Sequence, residues 1–371
     1  MGSLARLYSE CARLAAGRGG AGALASVARR RGSLPMSGTA KMLVTLDGAR
    51  MGTVGGGCLE AEIIERALSA AERCAPAVSE HSLANELAGD YGLTCGGTAT
   101  IVVEPVFHSV ELAACYSACA ELLAQDGRGV LVTALDWSDR VHKALVTANG
   151  VYGAATAEML AAAALVDTRR EEPLLHDGML VEALRGAPRL IVFGGGHVGG
   201  SIARAASFAG WRVTVVDDRE EYADAARHSD AERTVTSDYA QISPVLGIDE
   251  ECYVVVATRG HQHDALLVDQ LARMRTRYLG MLGSRRKVAL TWGLLERWGV
   301  PRERLDTVHA PVGVAIGADT PEEIAVSVVA EMIAVRREGS RRRGVGTREA
   351  TRSAVDTTDD ENVTKTTRAD T

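Results

Sequence analysis

Hydrophobic positions along the first part of the chain change period twice, in the same order each time. Lys41-Met-Leu-Val-Thr-Leu-Asp-Gly48 reads as a strand running into Asp-Gly, a dipeptide that accepts the positive φ of a two-residue hairpin turn. Leu59, Ile63, Ala67 and Ala70 then recur at helical spacing and predict a helix over 59–73. The order returns 102 positions later, where Lys143-Ala-Leu-Val-Thr-Ala-Asn-Gly150 matches at five of eight positions and a helical stretch follows over 157–165. An internal repeat and two unrelated hairpins of common pattern both fit. If the repeat is real, its copies diverge at the helix entrance: Gly55-Gly56-Gly57-Cys58 in the first, Gly153-Ala-Ala-Thr156 in the second. Between them, Thr98 to Glu104 alternates as a strand that Pro105 is expected to end.

From residue 189 the pattern is different. Arg189-Leu-Ile-Val-Phe193 is a continuous apolar strand. Gly194-Gly195-Gly196-His197-Val198-Gly199 follows at once and opens a helix through Phe208. The glycines Gly194, Gly196 and Gly199 thus stand between strand and helix, as a dinucleotide-binding turn requires. Arg212 to Asp217 is the next strand, and Asp217 falls 23 residues after Gly194, where an acid meets a ribose diol. Further strand–helix pairs are predicted over 251–257 with 264–274, and over 276–282 with 286–298. Their connecting loops carry Thr258-Arg259-Gly260-His261-Gln262-His263 and Gly283-Ser284-Arg285-Arg286-Lys287, at strand ends where ligands of such sheets bind. His261 and His263, two apart, suit a loop. Arg285, Arg286 and Lys287 read as a phosphate clamp or as solvated charges. Thr320, Pro321 and Glu323 form an N-cap, a first-turn proline and a capping box.

These patterns predict an α/β fold. An N-terminal α/β domain with glycine–cysteine turns takes residues 1–166, a linker 167–188, and a Rossmann-like parallel-sheet domain 189–338. A disordered tail is expected over 339–371, which holds no Leu, Ile, Met or aromatic residue to bury.

Composition narrows the function. The 371 residues are 46% hydrophobic and 24% charged, ordinary for a globular protein, and no apolar run reaches the ~18–20 residues of a membrane span. The N-terminus shows no signal-peptide pattern. A net charge of −7 argues against a nucleic acid or anionic membrane as a partner held by bulk charge. Seven scattered cysteines without framework spacing point to a reducing, cytoplasmic setting.

Two of those cysteines are flanked by glycines. Gly55, Gly56 and Gly57 can leave backbone N–H groups open at a helix start, an anion cradle, and Cys58 at that start is expected to favour its thiolate. Cys95-Gly96-Gly97 is a second such turn. Thiolates beside an anion cradle suit a soft metal, a carried sulfur or a phosphorylated cofactor. The plain alternative is a small buried residue in a tight turn.

Taken together, Gly52-Thr-Val-Gly-Gly-Gly-Cys58-Leu-Glu60, Thr94-Cys-Gly-Gly97, Phe193-Gly-Gly-Gly-His-Val-Gly199, Val216-Asp-Asp-Arg219, Thr258-Arg-Gly-His261, Tyr278-Leu-Gly-Met-Leu-Gly-Ser-Arg-Arg-Lys287 and the run from His309 to Glu323 resemble the xanthine dehydrogenase accessory (XdhC/CoxI) family. The resemblance covers about residues 36 to 337. It implies a maturation chaperone rather than a turnover enzyme. Such a protein binds the molybdenum cofactor (molybdopterin), keeps it while a cysteine desulfurase partner makes its sulfurated form, and inserts it into a molybdenum hydroxylase client of the xanthine dehydrogenase type. Carried onto this chain, Gly55, Gly56, Gly57, Cys58, Cys95 and Gly96 would hold that cofactor, with Cys58 and Cys95 toward the metal. Gly194, Gly196, His197, Gly199, Asp217, Arg259, His261, Ser284 and Arg285 would line a second cofactor site, for NAD or another nucleotide. A homodimer stays open. The chain lacks the clustered cysteines that two iron–sulfur centres of the dehydrogenase itself need. The competing reading is an NAD-dependent oxidoreductase, with His261 as its candidate base.

Overall fold

Alternation along the strands decides the layering of the first half. In β1 (Gly22–Arg31), Ala23, Ala25 and Val27 point to one side, where they join the core under α2 (Gly57–Arg73). Leu24 points to the other, into a core shared with α1 (Ser3–Ala15). The computed structural model describes residues 3–34, 36–82, 97–125, 127–169 and 172–341. Within them β2 (Lys41–Thr45), β3 (Arg50–Gly52), β4 (Ala77–Ser82) and β5 (Thr98–Val106) join β1 in an antiparallel sheet of order β3-β2-β1-β5-β4.

The whole arrangement then occurs again. After α3 (Val110–Ala124) come β6 (Arg128–Ala134), β7 (Lys143–Thr147), β8 (Gly150–Gly153), α4 (Ala157–Ala164), β9 (Leu174–His176) and β10 (Met179–Arg185), with sheet order β8-β7-β6-β10-β9. Helix, three strands, helix and two strands repeat with the same pairing, so the sequence match near Lys41 and Lys143 belongs to a duplicated fold. The outer face of each sheet packs under its own helix, α2 or α4. The inner faces share one core with α1 and α3, where Leu24, Leu43, Leu131 and Leu145 meet.

Charge crosses that shared core. Lys41 of the first copy reaches Glu182 of the second at 2.6 Å, and Lys143 of the second reaches Glu104 of the first at 2.9 Å. Each ammonium has a hydroxyl from the neighbouring strand as well, Ser26 at 2.8 Å and Thr133 at 2.6 Å. Burial pulls the Lys143 pKa down, but Glu104 foremost among its neighbours outweighs this and leaves it pushed up to about 12. Tyr8 and Tyr116, on α1 and α3, stack between the pairs with ring centroids 6.1 Å apart.

The second half is a parallel sheet of β11 (Arg189–Phe193), β12 (Arg212–Asp217), β13 (Arg233–Thr236), β14 (Tyr253–Val256) and β15 (Tyr278–Met281) in the order β13-β12-β11-β14-β15. α5 (His197–Phe208) and α9 (Pro321–Arg341) cover one face, α6 (His261–Ala272) and α7 (Arg285–Arg297) the other. This is a Rossmann-like domain. α9 starts on the expected capping box: Glu323 accepts from the Thr320 amide at 3.2 Å and its own amide donates to the Thr320 hydroxyl at 3.3 Å.

Three expectations need correction. The stretch 167–188 is no linker throughout, since it supplies β9 and β10, and β10 pairs along its full length with β6. Its apolar residues Met179, Val181 and Leu184 sit in cores that the polar start of the segment conceals. β5 continues through Pro105 to Val106 because β4 pairs only as far as Val103, so no partner on that side misses the proline N–H. His261 and His263 lie in the first turn of α6, which begins after Gly260. The tail beyond Arg341 lies outside the described residues.

The crossed pairs make a sharp stability prediction. Lys143→Met strands Glu104 in a dry core and is expected to cost ~3–5 kcal/mol. Adding Glu104→Gln removes the stranded charge while leaving an acceptor for Tyr116, and should return a substantial part of that loss. Denaturant midpoints of the two variants test this.

Candidate functional site

Four glycines shape the turn between β11 and α5, and three of them are fixed by the fold itself. A Cβ on Gly194 would lie 2.3 Å from the Ala257 carbonyl oxygen, and its φ is +110°. A Cβ on Gly199 would lie 1.8 Å from the Gly194 carbonyl oxygen, and one on Gly195 would lie 1.9 Å from that of Tyr222. Gly196, at the start of the helix, faces open space. The first and last glycines therefore close the strand–turn–helix, and Gly196 leaves room for a ligand beside the α5 N-terminus. His197 is exposed next to it.

Asp217 does not stand free at the end of β12. It is 1% exposed. Its carboxylate accepts from the Gly195 amide at 2.8 Å and from the Arg219 amide and Nε, each at 3.0 Å. Burial raises its pKa, but the Arg219 side chain and these two amides prevail and hold it below the usual carboxylate range. Asp217 thus braces its own glycine loop. Asp218, more exposed, is the neighbouring carboxylate at this edge, where it meets Arg259 at 2.7 Å.

The other strand-end loops divide in the same way. Ser284 caps α7 by accepting from the Lys287 amide at 3.2 Å, while Arg285 and Arg286 stay exposed. Lys287 does not join them as a clamp. Its ammonium pairs with Asp264, which is 0% exposed and also accepts from Thr258 Oγ1 at 2.7 Å. His261 and Arg259 are exposed at the mouth of this loop, and the His263 ring stands edge-on to Tyr239. The His309 loop is tied down from α9, where Glu331 accepts from Tyr278 Oη at 2.5 Å and from the Gly313 amide at 3.0 Å.

In the first half, Gly55, Gly56 and Gly57 all have positive φ, at 142°, 82° and 65°. They lead into α2, which no side chain caps at Gly56, and Cys58 is exposed in its first turn. The second copy closes the equivalent end, because Thr156 caps α4 by accepting from the Met159 amide at 3.3 Å. The expected cradle is partly filled from within. Gly55 N–H donates to Thr53 Oγ1 at 3.2 Å and Gly56 N–H to Glu60 Oε2 at 3.2 Å. An anion here must displace the Glu60 carboxylate, whereas the thiol and the space beside Gly56 and Gly57 are open. Cys95 and Gly96 lie outside the described residues. Burial pushes the Cys11 and Cys119 thiols up, which leaves them inert beside Cys58. No group of three His, Cys, Asp or Glu suited to a metal ion occurs among the described residues. No helix among them is long and apolar enough to cross a membrane.

A Rossmann-like domain joined to a half with a glycine–cysteine turn is the class that this geometry defines. Residues 190–332 match the family model described as the XdhC Rossmann domain, and residues 15–81 that of the XdhC and CoxI family. The chain belongs to the XdhC/CoxI family. It is 29% identical to a Bacillus subtilis (strain 168) protein described as a probable subunit of xanthine dehydrogenase, over 85% of this chain and 93% of that one. It is 28% identical to the uncharacterised protein YqeB of Escherichia coli (strain K12), over 85% of this chain and 43% of that one. A crystal structure from Bacillus halodurans, described as a xanthine dehydrogenase, superposes with a TM-score of 0.74 at 25% identity, covering 93% of this chain and 98% of that one.

Two outcomes follow from the glycine loop. Gly196→Ala should leave the melting temperature unchanged, while Gly195→Ala should lower it by several degrees through the Tyr222 carbonyl clash; thermal unfolding separates them. Asp217→Asn should destabilise at neutral pH. The wild-type advantage comes from a carboxylate with a depressed folded pKa, so it is complete above the unfolded value of ~3.9 and disappears as pH falls through the folded one. Melting curves of both proteins should therefore converge on acidification.

Proposed function

We propose that this protein is an accessory factor for a molybdenum hydroxylase of the xanthine dehydrogenase type, which holds the molybdenum cofactor and passes it to that client. The observation that carries the reading is an exposed thiol, Cys58, at an uncapped helix start, in a chain of the XdhC/CoxI family. The copy of this turn that lacks the cysteine has an ordinary cap, so the open end is a feature of the first copy alone.

The residues present fit the cofactor in part. A bound molybdopterin brings a metal with soft sulfur ligands and a phosphate group. Cys58 supplies a soft donor that solvent reaches, and Gly56 and Gly57 leave space beside it. Glu60 holds the Gly56 amide and would have to release it for a phosphate. The chain's own part is then to bind and shield rather than to react. A cysteine desulfurase would sulfurate the held cofactor, a cytoplasmic step. In the second half, Gly196 gives a nucleotide such as NAD room to bind as a ligand.

Expression with molybdate tests the proposal. The purified protein should carry molybdenum and a pterin. Cys58→Ala should keep the wild-type melting temperature and lose most of the metal. Full cofactor content in folded Cys58→Ala would remove the thiol from the reading, and steady NADH oxidation with a defined substrate would replace it with the oxidoreductase.

A further inference from the structure

A chain of hydrogen bonds that neither site above uses joins Ser79, His81 and Glu62. In β4, Ala77, Ser79 and His81 alternate onto the face under α2, since their register partners on β5 are Val103, Ile101 and Ala99 of the core there. Glu62 and Arg66 stand one turn apart on α2. The His81 ring places Nε2 2.8 Å from Ser79 Oγ and Nδ1 3.2 Å from Glu62 Oε2. Arg66 donates to the other Glu62 oxygen from Nη2 at 2.9 Å and from Nε at 3.2 Å.

The partners decide where the protons sit. Arg66, foremost, holds the Glu62 carboxyl below the usual carboxylate range, against its desolvation. An ionised carboxylate only accepts, so in the neutral ring Nδ1 carries the hydrogen and donates it. The lone pair is then on Nε2, and the Ser79 hydroxyl donates to it. A hydroxyl, a base within hydrogen-bond reach and a third group that orients the base are the parts of an activated nucleophile. The His81 side chain is 5% exposed, which keeps water from competing for its nitrogens, while Ser79 is half-buried. β4 is at the edge of its sheet, and an edge strand turns the N–H groups of alternate residues outward, where they can donate to an oxyanion.

The duplicated fold forms without this chain. In the second copy the matching edge strand β9 stops at His176, whose Nε2 meets Asp177 of the following turn at 3.2 Å. The carboxylate of α4, Glu158, lies in its first turn. Folding alone therefore does not call for Ser79, His81 and Glu62 together.

We propose that Ser79, His81 and Glu62 form a site of acyl transfer that takes small activated esters. Ser79 Oγ adds to the ester carbonyl as its proton passes to His81 Nε2. The bond to the leaving alkoxide breaks, the alkoxide takes that proton, and the acyl group stays on Ser79. Water, giving a proton to Nε2, then releases the acid, and the proton returns to Oγ. Glu62 acts through His81 as a positioning residue. The inference does not rest on the molybdenum cofactor reading. Diisopropyl fluorophosphate and p-nitrophenyl acetate test it on the full chain. The fluorophosphate should label Ser79 in the native protein but not after heat unfolding, as read by peptide mass spectrometry. Ser79→Ala should stay folded by circular dichroism and lose both the label and most of the nitrophenolate release. Glu62→Gln should lower kcat roughly tenfold or more with KM nearly unchanged. Native protein unlabelled at Ser79, nitrophenolate release undiminished in Ser79→Ala, or wild-type kcat in Glu62→Gln would each overturn the inference.

Discussion

Two lysines buried between sheets constrain everything in the first half of this protein. An ammonium in a dry core is tolerable only with a carboxylate and further acceptors around it. Here each lysine finds its carboxylate in the other copy of the duplicated unit, Lys41 with Glu182 and Lys143 with Glu104. Neither copy can therefore bury its inner face alone without stranding a charge. The pairs also fix register, because a slip of one residue in β2 or β7 would turn the lysine to the face under α2 or α4, away from its carboxylate. Apolar packing of α1 and α3 supplies the bulk of the shared core, and the crossed charges select how the two copies meet.

The glycine loop of the second half shows a comparable self-sufficiency. Gly194, Gly195 and Gly199 are demanded by neighbouring carbonyls, and the Gly195 amide is held by Asp217. Most of the features that read as nucleotide recognition are thus needed to form the turn at all. Gly196, with open space beside it, is the part of the motif that the fold does not consume. The same division applies to Lys287, which is committed to Asp264, and to Glu60, which occupies the amide beside Cys58. A motif defines a backbone shape first. How many of its polar groups face a ligand depends on which the protein has already satisfied.

That distinction explains what can be read from the residues. Long periodic segments are legible: β12 and α5 are expected over Arg212–Asp217 and to Phe208, and stand there. β9 and β10 are hidden because a polar opening, Asp167 to Pro173, and the turn at Asp177-Gly178 give the segment the look of a connector. The match of Lys41 with Lys143 is visible, but its meaning is not. A lysine at the head of an apolar strand reads as exposed until its partner, 141 positions away in the case of Glu182, is brought beside it.

Duplication supplies the comparison by which function can be separated from scaffold. Where the copies agree, as in the strand order, the lysines and the stacked tyrosines, the fold is a sufficient reason. Where they differ, stability does not explain the departure. The second copy caps its helix with Thr156 and gives Tyr116 a partner, both the less costly arrangements. The first leaves α2 uncapped behind three positive-φ glycines, exposes a thiol, and buries a tyrosine whose hydroxyl has no partner among the described residues. Each choice sacrifices stability that the same architecture shows how to recover. These departures all lie in the copy that carries Cys58 and Tyr8.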